Sequence, residues 1–296
     1  MYQPLRTPRF ESLIIRGLKH RLTWWGERTE TPVVLLHGFM DCGATWQFLV
    51  DSLPQEWCCV APDWRGFGGT DWASGGYWYP DYFADLEALL AALVPGKPAR
   101  IVAHSMGANI AAMYAGIRPE RLAWVANLDA IGLPRTVSQE APERYERWLN
   151  ELIEPPKGTD YRSLAQLARA LTLRNPRLTA DRAEFIARAW ASETPAADGG
   201  VQLRFDPRHR IVNPVLYRRE EAEACWARMQ TPMLLLRAGL SEFRERLGAD
   251  GEEDRVRAQY RNLRIVNLPE VGHSMHHEDP QTVARHIIEF DRSLTP

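Results

Sequence analysis

No stretch of this chain approaches the roughly 18 consecutive apolar residues that a membrane-spanning helix needs. Charge imbalance is also nearly absent: 36 Lys and Arg against 38 Asp and Glu leave a net charge of −2. That balance gives no electrostatic case for nucleic acid or an anionic membrane as a partner. Cysteine is scarce, and the four present (Cys42, Cys58, Cys59, Cys225) fit neither a disulfide framework nor a metal-binding spacing. Cys58 and Cys59 sit side by side in an apolar run, as buried free thiols would, so a reducing, cytoplasmic setting is expected. Met1 to Arg9 contains Arg and Pro but no apolar core, so no signal peptide is expected. Internal repeats and low-complexity segments are lacking too, which leaves a repeat architecture without support.

What remains is an ordinary globular composition, 45% hydrophobic and 25% charged, over 296 residues. That length can bury a large core, either as one domain with an insertion or as two small ones. Eight runs read as strands. Residues 11–17 and 20–26 form a hairpin pattern. Residues 32–39 and 57–63 are apolar runs of the kind that parallel strands buried on both faces show, and 100–104, 122–128, 231–239 and 263–268 also read as strands. Helical periods alternate with them at 43–53, 81–93, 108–115, 251–260 and 280–293. Repeated β-then-α units predict an α/β protein with a mostly parallel, eight-stranded, doubly wound sheet. Between residues 135 and 228 the texture changes to Arg, Glu and Ala with scattered Pro and no strand-like run. Amphipathic patterns at 142–153, 160–173, 179–192 and 217–228 mark this stretch as a helical cap over the sheet. Strand alternation resumes right after it, so residues 1–134 and 229–296 are expected to form one core domain.

The stretch Arg100 to Asn109 organises the chain. A strand-like run stops at His104-Ser105-Met106-Gly107 and a small-residue helix begins at once. A serine at such a corner, with small Ala103 and Gly107 two residues to either side, has the pattern of a nucleophile elbow, although Ala replaces the usual first Gly. The turn would strain Ser105, expose its hydroxyl and leave the Met106 N–H free to bind an oxyanion. Ligands of doubly wound sheets bind at the carboxyl ends of the strands. At such ends stand His37-Gly38-Phe39, Ser105, Asp129 and His273, with Glu242 just past another. A serine hydroxyl needs a base within hydrogen-bond reach, and His273 after the last strand can supply one. His276 and His277 are rivals. Three histidines within five positions also raise a metal, but no matching ligands are visible in the sequence, and neither metal nor cofactor is expected.

The order nucleophile, acid, His, together with His37-Gly38-Phe39, Asp63-Trp64-Arg65-Gly66-Phe67-Gly68, His104-Ser105-Met106-Gly107 and Gly272-His273, resembles the α/β-hydrolase superfamily over the whole chain except the cap. The resemblance implies the α/β-hydrolase fold with an inserted cap and a Ser105–His273–acid triad. It also implies an oxyanion hole from the backbone N–H groups of Phe39 and Met106. The acid is open between two positions. Glu242 has the commoner family spacing, in Gly239-Leu240-Ser241-Glu242, but with Glu in place of Asp. Asp129, in a segment similar to that of haloalkane dehalogenases, is preferred because it leaves directly from a rigid strand. Serine at the elbow argues against the dehalogenase and epoxide-hydrolase branches, which use Asp there.

The implied activity is a carboxylesterase-like serine hydrolase of a small apolar acyl substrate. The alternatives are carbon–carbon hydrolysis of diketone-type substrates and a non-catalytic small-molecule receptor. His37 is expected to brace the oxyanion loop, His104 to pack behind the elbow, and Asp63 and Arg65 to fix their own loop. His209 is expected to be solvated. Phe39, Trp46, Trp148, Trp190 and Trp226 are candidates to line an apolar pocket.

Overall fold

The computed structural model describes residues 2–157, 160–192 and 200–294. Met1 and parts of the 135–228 segment therefore lie outside the described residues. Eight strands form one sheet: β1 (Arg9–Ile15), β2 (Leu18–Trp25), β3 (Val33–Leu36), β4 (Cys59–Pro62), β5 (Ala99–His104), β6 (Leu122–Leu128), β7 (Met233–Ala238) and β8 (Leu263–Leu268). Their order across the sheet is β1-β2-β4-β3-β5-β6-β7-β8. The β1–β2 and β2–β4 pairs are antiparallel and the rest are parallel. The hairpin turns at Arg16 and Gly17, both at positive φ (48° and 81°), which matches the twist of the flanking strands.

The runs of the inner strands β3 to β7 are apolar because these strands are covered on both faces, whereas the edge strands β1 and β8 are partly exposed. Val34 and Leu36 of β3 join one core with Met233 and Leu235 of β7. Val33 and Leu35 join the other with Leu234 and Leu236. The first core also holds Leu86 and Leu90 of helix Tyr79–Leu93 and Ile110 and Tyr114 of helix Met106–Ile117. The second holds Trp46, Leu49, and Val283 and Ile287 of helix Pro280–Leu294. This is the alternation a pleated strand imposes when both sides are dry.

Residues 43–53 form two short pieces, a 3₁₀ turn Gly43–Trp46 and a single α-turn Gln47–Val50, in place of one helix. Between β6 and β7 lie helices Ala141–Ile153, Leu164–Arg174, Ala180–Trp190 and Arg219–Arg228. The second and third form a small core of their own around Leu167, Leu171, Ala183 and Ile186. The segment also makes three isolated antiparallel bridges, Tyr161–Val201, Ala191–Leu203 and Phe67–Phe205, which its strand-free sequence did not predict. The last helix differs from the other three. Its Ala222 and Trp226 belong to the core beneath the sheet, and a Cβ on Gly116 would lie 1.8 Å from the Cys225 carbonyl oxygen. Arg219–Arg228 is therefore packed backbone to backbone on Met106–Ile117, in the layer of the sheet rather than above it.

Candidate active site

β5 ends at His104, and Ser105 follows at φ 50°, ψ −115° as the residue preceding helix Met106–Ile117. Such a conformation is costly for any residue but glycine and persists only where the surroundings enforce it. Here they do. The Ser105 N–H donates to the Leu128 carbonyl (3.2 Å) and the Ser105 carbonyl accepts from the Asn109 N–H (3.0 Å). Gly107 sits so close to β3 that a Cβ would lie 2.5 Å from the Leu36 oxygen and 2.7 Å from the His37 oxygen. The glycine two residues after Ser105 is thus required by a backbone crossing. Met106 opens the helix, so its N–H has no intrahelical acceptor.

β6 ends in a turn held by the Asn127 side chain, whose Oδ1 accepts from the Ala130 N–H (3.0 Å) and whose Nδ2 donates to the Ala130 carbonyl (2.7 Å). Within it Asp129 takes a left-handed conformation (φ 59°), which Asp and Asn tolerate better than most residues. Asp129 Oδ1 accepts from the Ala238 N–H at the end of β7 (3.0 Å). Asp129 Oδ2 lies 2.8 Å from His273 Nδ1, and His273 Nε2 lies 2.9 Å from Ser105 Oγ. A carboxylate can only accept, so Nδ1–H donates to Asp129. That leaves Nε2 as the acceptor for the Ser105 hydroxyl. The structure thus brings Ser105, His273 and Asp129 together. Glu242 stays apart: its side chain is 84% exposed and its ionic neighbour is Arg246, at 3.7 Å. The residue after it reaches the site instead. The Phe243 ring packs on the His273 imidazole with centroids 4.1 Å apart, a contact that no signal in the sequence suggested.

The remaining histidines surround this line. His37 Nε2 accepts from the Trp64 N–H (2.9 Å), so its Nδ1–H donates to the Gly38 carbonyl (2.8 Å), which ties β3's end to the Asp63–Thr70 loop. In that loop Asp63 accepts from Gly43 N–H (2.5 Å) and Gly69 N–H (2.7 Å), and Arg65 binds Asp85 through Nε and Nη2, both at 2.6 Å. His104 donates from Nε2 to the His273 carbonyl (2.9 Å). Burial pushes His37, His104 and His276 below the ordinary imidazole range and His277 down to about 3, so these rings are neutral near pH 7. His209 is not solvated, as the sequence suggested. Its ring is stacked between Phe67 (3.9 Å) and Tyr77 (3.6 Å), with Nε2 3.2 Å from the Arg65 carbonyl, and burial lowers its pKa to about 4.

The structure also supplies partners to the histidine run that the sequence did not reveal. Asp41, His104 and His276 place one potential ligand atom each within 4.8 Å of one another. Zn–N bonds of 2.0–2.1 Å would set tetrahedral ligand atoms only roughly 3.4 Å apart. The rings meet instead as packed surfaces, His104 on His276 at 4.4 Å and His276 on Trp46 at 4.6 Å. Asp41 Oδ1 is taken by the Cys42 N–H, the Thr45 hydroxyl and Trp190 Nε1. The cluster reads as a packed floor beside His273, with neutral imidazoles around a buried Asp41 carboxylate that the facing His276 and His277 help hold ionised.

Of the pocket candidates, Trp46 and Trp226 are core residues and Trp190 is committed to Asp41. Phe39 and Trp148 do line cavities. One cavity, of about 360 Å³, is walled by Ser105, His273, Asp129, Phe39, Ile131, Leu133, Phe243 and Leu247 among others. A second, of about 410 Å³, shares Phe39, Tyr79 and Met106 with the first.

The model of an alpha/beta hydrolase family matches residues 33–286. The chain belongs to that family. It is 26% identical over 280 residues to a serine hydrolase-like protein of Danio rerio, covering 92% of this chain and 85% of the relative. It is 25% identical over 299 residues to serine hydrolase-like protein 2 of Homo sapiens, covering 94% of each. Among solved structures, the thioesterase domain from the curacin biosynthetic pathway superposes with a TM-score of 0.82, at 22% identity over 96% of this chain and 99% of that one. That likeness is one of fold. No helix among the described residues is long and apolar enough to cross a membrane.

Proposed function

We propose that this chain is a serine hydrolase of carboxylic esters or closely related acyl compounds, with Ser105 as nucleophile, His273 as general base and acid, and Asp129 as the orienting acid. The observation that carries the reading is the continuous line from Asp129 Oδ2 through His273 to Ser105 Oγ, at 2.8 and 2.9 Å, opening into an apolar cavity. Relatives bearing the name serine hydrolase-like support it. In the first half-reaction Oγ attacks the acyl carbon while its proton passes to His273 Nε2. The oxyanion is held by the N–H groups of Met106 and Phe39; one such donor typically contributes on the order of 2.7–4 kcal/mol to the transition state. His273 then gives the proton to the departing alkoxide, and an acyl-enzyme remains. A water activated by His273 releases the acid. Asp129 keeps the proton on Nδ1 and stabilises the imidazolium that forms.

Turnover of a p-nitrophenyl ester series, with labelling of Ser105 by a fluorophosphonate, tests this reading. Wild type hydrolyses the esters and is labelled, and Ser105→Ala loses both. Intact, folded wild type that is neither labelled nor active refutes it and favours a receptor on the same fold. Turnover of ring-fission diketones in preference to esters would move the assignment to carbon–carbon hydrolysis.

A further inference from the structure

The helix Ala141–Ile153 has no buried residue. Yet Tyr145, Trp148, Leu149 and Leu152 fall at i, i+3, i+4 and i+7, the stripe by which a surface helix normally attaches to a core. Tyr145, Leu149 and Leu152 are each about half exposed, at 51%, 53% and 50%. The helix is held at its edges by polar contacts, Arg144 to the Asn213 carbonyl (3.0 Å) and the Val212 N–H to Glu151 (2.6 Å). Two residues of the stripe, Trp148 and Leu152, border an unfilled space. They line the 410 Å³ cavity together with Tyr77, Trp78, Tyr79 and Phe39.

The charged or ionisable groups facing that space, Arg208 and His209, and two of its aromatic rings already have hydrogen-bond partners. Tyr77 donates to Asp206 (2.7 Å), and Trp78 Nε1 to the Gly75 carbonyl (3.3 Å). Arg208 is ion-paired with Asp206 (2.5 Å), and His209 is bonded to the Arg65 carbonyl. Binding a charge through Arg208 or His209 would require breaking one of these pairs, and the aromatic lining of Phe39, Tyr77, Trp78, Tyr79 and Trp148 suits a flat, apolar occupant. Phe39, Tyr79 and Met106 line both cavities, which places the second one directly beside the Ser105 cavity, across these three side chains.

We infer that this second cavity is a subsite for an aromatic arm of the substrate, and that the arm completes the packing of helix Ala141–Ile153. The inference rests on the serine-hydrolase reading only for what happens at Ser105. The aromatic side chains around the space offer a ring the stacked and edge-on contacts it prefers. The same contacts would replace the core that the helix lacks. Substrates of this class are esters in which the acyl or the alcohol part ends in an aryl ring.

Three esters test it by pH-stat: ethyl acetate, 2-naphthyl acetate and ethyl 3-phenylpropanoate. The quantity read is the ratio of kcat/KM for each aryl ester to that for ethyl acetate, compared between wild type and variant so that intrinsic reactivity cancels. Trp148→Ala and Leu152→Ser are each expected to lower the ratio at least fivefold for one of the aryl esters. Independently, 2-naphthyl acetate bound to the unreactive Ser105→Ala chain should slow amide exchange across residues 141–153 at least threefold, and ethyl acetate should not. Unchanged ratios in both variants together with unchanged exchange overturn the subsite while leaving the hydrolase reading intact. Slowed exchange in a chain whose wild type hydrolyses no ester upholds the subsite and overturns the hydrolase reading.

Discussion

Replacing Asp129 by Asn isolates the role of one oxygen. The left-handed turn tolerates Asn as well as Asp, whereas Ala would add roughly 1–2 kcal/mol of backbone strain at φ 59°. Asn Oδ1 can still accept from the Ala238 N–H, so the link to β7 survives. At the position of Oδ2, 2.8 Å from His273 Nδ1, an amide NH₂ now presents a donor to a donor. The ring escapes by moving its proton to Nε2. Nε2 then donates to Ser105 Oγ and can no longer accept its proton. Loss of the working tautomer costs about 10⁴-fold in kcat in serine enzymes of this geometry, or ~5 kcal/mol of transition-state stabilisation. The assay is kcat and KM on a p-nitrophenyl ester beside the thermal midpoint. Asp129→Asn should lose about 10³- to 10⁴-fold in kcat with little change in KM and a thermal midpoint close to wild type. Glu242→Gln, on an exposed helix, should stay within about twofold. An Asp129→Asn protein within tenfold of wild type, or a Glu242→Gln protein with the larger loss, refutes the reasoning.

Gly107→Ala drives a Cβ into two backbone oxygens that cannot yield, so a loss of about 3 kcal/mol or more is expected in the urea midpoint; an unchanged midpoint would show that helix and β3 separate freely. Ser105→Gly should be more stable than Ser105→Ala by about 1 kcal/mol in the same experiment, because only glycine relieves the turn at φ 50°, ψ −115°. His209 has a folded pKa lowered to about 4, so the unfolded chain binds its proton first as pH falls. Its contribution is complete above the unfolded pKa of roughly 6.5 and is lost between there and about 4, at up to about 1.4 kcal/mol per pH unit. His209→Gln should flatten the decline of stability between pH 6.5 and 5, and parallel wild-type and variant curves would contradict it.

Much of this was legible in the sequence because it is local. The inner strands are apolar runs because they are buried on both faces, the first two strands show a hairpin pattern, and the alternation of strands with helices predicts a doubly wound sheet. The elbow was legible because a tight strand-to-helix corner restricts its neighbours to small residues. What Gly107 must avoid, however, is the backbone of β3, some seventy residues earlier. The choice between Asp129 and Glu242 could not be made from spacing with certainty. It depends on which strand end faces His273 and on a helix cap at Ser241 that turns Glu242 outward. The environment of a histidine is likewise invisible in sequence: His209 looks like a solvated residue among arginines, and only the folding of residues 200–210 against Phe67 and Tyr77 makes it a stacked, neutral ring. The same holds for helix Ala141–Ile153. Its amphipathic period was written in the chain, but the aromatic-lined space beside Trp148 and Leu152 arises only when Phe39, Met106, residues 74–79 and residues 208–214 are brought together. Local periodicity and turn chemistry follow from neighbouring residues, whereas hydrogen-bond partners and cavities depend on contacts between residues far apart in the chain, which only the tertiary structure decides.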